Sequence, residues 1–163
     1  MSSEDKKEIW ANNALLSQFT SSWKMLRDAI ENCPVEYWYR TDKDWNYSKT
    51  VYHIIETQEF YLRDTPDGMV WGKLIGDVNN KDLPAEAVLP AKELLIGYLE
   101  DLENQISSYI TNIDFEELLG KDGFRWFTSR FEKLLYLLRH NAHHLGELGR
   151  MLREWDCTRM KWQ

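Results

Sequence analysis

Apolar residues in this chain return every three to four positions, and that spacing fits helices and little else. From about Ser3 to Asn32, the residues Ile9, Leu16, Phe19, Trp23, Leu26 and Ile30 fall on one stripe, the pattern of a helix that buries one face. Pro34 closes it, because a proline drives the residue before it out of helical backbone. A polar, aromatic stretch (VEYWYRTDKDWNYSKT) leads into a second helix, expected from about Ser48 to Arg63 and broken by Thr65, Pro66, Asp67 and Gly68. A third is expected from about Ala91 to Thr111, with Leu95, Tyr98, Leu102, Ile106, Tyr109 and Ile110 on one side. The fourth starts at Ser129, which has the capping-box spacing to Glu132, and runs to about Trp155. Its roughly 27 residues make a rod of about 40 Å.

Two segments interrupt this pattern. Residues 64–89 gather Gly68, Gly72, Gly76, Asn79 and Asn80, and a connection of that length reads as a lid or a crossover. Residues 112–128 hold one helical turn (DFEELL) before Gly120 and Gly123. No repeat, linker or convincing strand is present. The expectation is all-α: a four-helix bundle with a long crossover connection, one domain over residues 1–163.

Charge and cysteine content narrow the function. The 20 Lys and Arg against 27 Asp and Glu give a net charge of −7. A surface of that sign repels phosphate backbones unless its basic residues cluster, and along the sequence they do not, so no nucleic-acid partner is expected. No run approaches the roughly 18 apolar residues of a membrane span. Cys33 and Cys157 form no CxxC pair, and the opening MSSEDKKEIW lacks the pattern of a secretory signal. A cytoplasmic protein with reduced thiols is expected, with one terminal disulfide as the alternative.

Chemistry points to the histidines. Of four, His140, His143 and His144 fall within five residues. On a wheel with His140 at zero, His144 lies at about 40°, within the apolar arc, whereas His143 lies at about 300°, on the rim. Asn141, at about 100°, enters the apolar arc and calls for a hydrogen-bond partner. Two imidazoles one turn apart can share a metal ion from one helix face. The remaining histidine is His53, on the second helix, and three neutral nitrogens with a position left over make the donor set of a catalytic site. The blander reading keeps the same residues as packed core histidines. Glu147, at about 340°, sits where it could orient a ligand or serve as a general base, or else pair with Arg139 or Arg150. Glu56 and Thr57 follow His53 by about one turn; Thr57 is a candidate hydrogen-bond acceptor for a ligand imidazole, and Glu56 reads as a helix-surface residue. Trp23, Phe19, Phe60 and Tyr61 are candidate walls of an apolar cleft, with core packing preferred for the two phenylalanines, and Trp71 is a candidate cover.

These residues also carry a resemblance. His140 and His144 followed by Leu145-Gly146-Glu147-Leu148, with Leu152-Arg153-Glu154 beyond, resemble the last-helix signature of the DinB-like (DinB/YfiT-like) four-helix metalloproteins. Ser48-Lys49-Thr50-Val51-Tyr52-His53-Ile54-Ile55 is similar to the opening of that family's second helix. The resemblance implies that His53, His140 and His144 bind a divalent ion, zinc or nickel, and that a long connection joins the second and third helices. It also implies a small-molecule substrate, with a low-molecular-weight thiol as cosubstrate in members of known chemistry. Glu147 stands where Gln is commoner in that family. The expected function is therefore a metal-dependent enzyme, working as a homodimer, that activates water or a thiol for hydrolysis or transfer. The alternative is a non-catalytic metal-binding or stress-related bundle.

Overall fold

Side-chain caps decide where several helices begin. Asn46 accepts a hydrogen bond from the Lys49 amide at 2.7 Å, Asp114 from the Glu117 amide at 2.7 Å, and Ser129 from the Glu132 amide at 3.1 Å. Each satisfies an amide that the first helical turn leaves without a partner. The computed structural model describes residues 3–42, 45–77, 79 and 89–163, and the side chains of residues 3–9, 41, 42 and 45 stand outside that description. The expectations for Ile9 and for Asn80 therefore lie outside it. The helices are α1 (Ser3–Asn32), α2 (Val35–Trp38), α3 (Tyr47–Leu62), α4 (Lys92–Asn112), α5 (Phe115–Leu119) and α6 (Arg130–Glu154). The long ones start and stop within a residue or so of the expected positions. Short α2 and a two-residue antiparallel pair, β1 (Thr41–Asp42) and β2 (Trp45–Asn46), fill the polar, aromatic stretch before α3. Neither changes the all-α character. Among the described residues, no helix is long and apolar enough to cross a membrane.

The four long helices make the bundle. α1 packs along α4 and α6, and α3 packs along the same two helices from the other side. Polar and aromatic pairs give the directions. Tyr47 donates to the Ala29 carbonyl and Trp23 to Gln58, so α3 runs against α1. Arg27 pairs with Glu100 and Glu103 while Asn12 reaches the Ile113 carbonyl, so α4 also runs against α1. Tyr47 lies beside Trp155 and Tyr61 beside Tyr136, so α6 runs against α3. Consecutive α3 and α4 are therefore parallel, and the chain between them must travel the length of the bundle. That is the physical reason for the long connection.

The first half of this connection is strapped to α3. Glu56 accepts from the Gly72 amide, the Tyr52 hydroxyl accepts from the Leu74 amide at 3.2 Å, and Glu59 pairs with Lys73 at 2.7 Å while accepting from the Tyr98 hydroxyl. Gly72 itself has φ +73°, a backbone state that side chains resist. Glu56 thus departs from its expected place on the helix surface: it is fully buried. The strap covers it, and burial raises its carboxyl above the ordinary value, opposed by the Gly72 hydrogen bond.

Between the helices lies a core of large apolar side chains, among them Phe19, Leu26, Ile30, Val51, Ile54, Leu95, Leu99, Ile106, Leu134, Leu148 and Leu152. Trp23 belongs to it: 4% exposed, packed against Phe19, with its indole donating to Gln58 at 2.8 Å. It is committed to the core rather than to a cleft wall. Both cysteines are free thiols, and burial pushes Cys33 up to about 12.

Candidate functional site

The three inward histidines come from two antiparallel helices at the same level of the bundle. α6 presents His140 and His144 one turn apart on the face it turns to α3, and α3 presents His53. The imidazole centroids are 5.0 Å apart for His53 and His140, 4.9 Å for His53 and His144, and 4.6 Å for His140 and His144. One nitrogen from each lies within 4.8 Å of the others, and all three side chains are half-buried.

The closest approach is Nε2 to Nε2, 3.1 Å between His140 and His53. Two neutral imidazoles can face each other this way only if one carries a proton at that atom; otherwise two lone pairs meet. Burial, and after it the neighbouring His144, lower His140 to about 4, so it is neutral near pH 7. A cation between such nitrogens relieves their repulsion. Two nitrogen ligands of one tetrahedral zinc, each about 2.0–2.1 Å from the ion, stand roughly 3.3 Å apart. The donor set and its spacing therefore fit a borderline-soft divalent ion such as zinc.

Glu147 supports this arrangement from outside. Its Oε2 lies 2.6 Å from His144 Nδ1, and Oε1 lies 3.6 Å from His143 Nε2. A carboxylate only accepts, so the Nδ1 of His144 must donate, which leaves the lone pair of a neutral ring on Nε2. Among the described residues, Glu147 forms no ion pair with the nearby arginines. Arg150 pairs with Glu154, and Arg139 lies over the Tyr136 ring at 5.3 Å. His143, with a side chain 68% exposed, stays on the rim.

The other candidates divide. Tyr61 is nearly buried and meets Tyr136 ring to ring at 5.1 Å, and Tyr136 stacks on His140 at 6.3 Å. Tyr136 is thus a neighbour of the imidazole cluster that the sequence reading passed over, although its position one turn before His140 places it on the same face. Thr57 is buried one turn beyond His53, its hydroxyl without a hydrogen-bond partner among the described residues. Trp71 packs on Phe60 at 5.0 Å, at the end of the strap. Asn141 is 1% exposed beside His140, and its amide atoms have no close hydrogen-bond partner among the described residues.

Known proteins add one finding at the level of family. The model of the DinB superfamily matches residues 18–148, a span that holds all three histidines and Glu147. No curated protein matches the chain.

Proposed function

The chain belongs to the DinB superfamily, and on that footing we propose that it is a metal-dependent enzyme built on His53, His140 and His144. The observation that carries the reading is the convergence of three imidazoles from two helices, one of them oriented by the Glu147 carboxylate. Zinc or nickel suits three nitrogen donors. Such an ion supplies Lewis acidity and lowers the pKa of a bound water or thiol.

The chain's own residues define the rest of the chemistry. His53, His140 and His144 are neutral donors, and Glu147 holds the His144 ring in one tautomer. Through its exposed side, Glu147 can also take a proton from an incoming water or thiol. Tyr61 and Tyr136 form an aromatic wall beside His140 that suits a small apolar electrophile. Two free cysteines fit work in the reducing cytoplasm.

The test is elemental analysis of protein purified without an affinity tag or chelator, followed by turnover of a generic electrophile with a panel of low-molecular-weight thiols and with water alone. One ion per chain and metal-dependent turnover are expected. Absence of stoichiometric metal, together with no binding on titration, would falsify the reading. A loaded protein inert with every thiol and with water would favour a non-catalytic metal-binding bundle.

A further inference from the structure

The opposite face of α6 borders a second cleft. On the wheel that sets His140 at zero and His144 at about 40°, Leu138, Gly149 and Ala142 lie at about 160° to 200°. Together with α1 and the C-terminal segment they line a cleft of about 750 Å³, within the usual size of small-molecule sites. Its apolar lining includes Met25, Leu138 and Met160, with Ser21 and Ser22 supplying hydroxyls.

Charge sets this cleft apart from the rest of the surface. The chain carries −7 overall, yet the cleft is lined by Arg139, Arg153 and Arg159 and, among the described residues, by no acidic side chain. Arg153 and Arg159 form no ion pair among the described residues, so their charge is not already neutralised. The C-terminal segment is held at this end: the Arg159 carbonyl accepts from Asn32 at 3.2 Å, and the Lys161 amide donates to Asp28 at 3.0 Å. Arg139 stands about 21 Å away along the axis of α6, measured from Arg153.

Gly146 is exposed, and it and Gly149 bring no side chain to the α6 side of the cleft. A methyl group added at Gly146 would meet no atom within 4 Å, and one at Gly149 would touch only the tip of Met160, at 3.4 Å. Glycine in a helix interior costs roughly 0.5–1 kcal/mol relative to alanine, and no crowding by the fold demands it at Gly146.

We infer that the α1/α6 cleft binds a long-chain carboxylate, its head group on Arg153 and Arg159 and its methylene chain along Met25, Leu138 and Met160. A carboxylate matches the paired donors of a guanidinium, and a methylene chain matches the apolar lining of Met25, Leu138 and Met160. This site is independent of the imidazole cluster, so the two assignments fail separately.

The experiment is calorimetric titration of the full chain with monomeric hexadecanoate, with hexadecyltrimethylammonium as the cation of equal chain length. One hexadecanoate per chain is expected, with the ammonium bound at least tenfold more weakly and with affinity unchanged by a chelator. The exposed double change Arg153→Glu with Arg159→Glu should weaken binding at least tenfold, and so should Gly146→Phe, which places a ring in the cleft. Helical circular dichroism identifies any variant that has lost its fold. Equal binding of both probes, uptake rising without saturation, or full affinity in folded variants would overturn the assignment. So would a wild-type chain that ignores hexadecanoate while Gly146→Phe changes its oligomeric state, because the cleft would then belong to a second copy.

Discussion

α3 and α6 meet through ionisable side chains at two levels, and the two meetings are built in opposite ways. At the C-terminal end of α3, buried Lys133 pairs with buried Asp122, donates to the Arg63 carbonyl at 2.8 Å and lies 4.6 Å from the Phe124 ring centroid. Burial lowers the lysine's pKa, and Asp122 opposes that shift. One turn or two further along, His53, His140 and His144 face one another with no carboxylate among them; Glu147 touches the set only from behind His144. A buried charge with its partners in place stabilises a fold and has little capacity left for a ligand. A group of imidazoles facing one another with no carboxylate between them could hold a cation. The same helix pair thus carries one closed node and one open node.

The sharpest way to break this comparison is at the open node. His144→Ala should abolish divalent-ion binding in equilibrium dialysis while leaving the helical signal intact; strong binding in this variant would mean that the three imidazoles do not act together. At the closed node, Lys133→Met leaves Asp122 buried without its cation and should cost about 3–5 kcal/mol in denaturant unfolding. A loss below about 1 kcal/mol would show that Asp122 reaches water and that the node is not closed. Glu147→Gln keeps the shape and removes the charge behind His144, so metal affinity should fall roughly 10–100-fold. His143→Ala should leave affinity within about twofold, and the reverse ranking would exchange the roles given to the two sides of Glu147.

A smaller effect separates both nodes from the strap. The Glu56 carboxyl is raised above its ordinary value near 4.5, first by burial. The folded state therefore holds that proton to higher pH than the unfolded state does. Stability should decline as pH rises from about 4.5 through the raised folded value and then level off. Glu56→Gln keeps an acceptor for the Gly72 amide and removes the titration. Its melting temperature relative to wild type should rise across that window, and a constant difference would place the Glu56 carboxyl in water in the folded state.

Much of this architecture can be read from the chain because it depends on local rules. The stripe through Phe19, Trp23, Leu26 and Ile30 follows from helical period alone, and so does the pairing of His140 with His144. Ser129 caps α6 as its spacing suggests, yet Glu132 reaches back to the Thr128 amide and hydroxyl rather than to Ser129. What resisted reading depends on tertiary paths. Glu56 is polar on a helix, and only the course of the strap over it makes it buried. Trp23 has the size of a cleft wall, but Gln58 across the core claims its indole. Arg159 joins the α6 arginines in lining the second cleft only because the C-terminal segment folds back against α1 and α6.

Gly123 has a bearing on the precision of the whole assembly. Its amide donates to the Asp64 carbonyl at 2.7 Å, and a methyl group there would stand 2.8 Å from that oxygen and 3.0 Å from Thr65. This contact and the Lys133 bond to Arg63 fasten one end of α3 to the chain around the start of α6, while Tyr47 against Trp155 fastens the other. A helix advanced by one residue moves 1.5 Å along its axis, many times the roughly 0.2 Å within which metal–ligand distances are set. The two fastenings act as the jaws of a caliper: the gap between His53 and the α6 histidines is gauged at its ends, far from the imidazoles themselves.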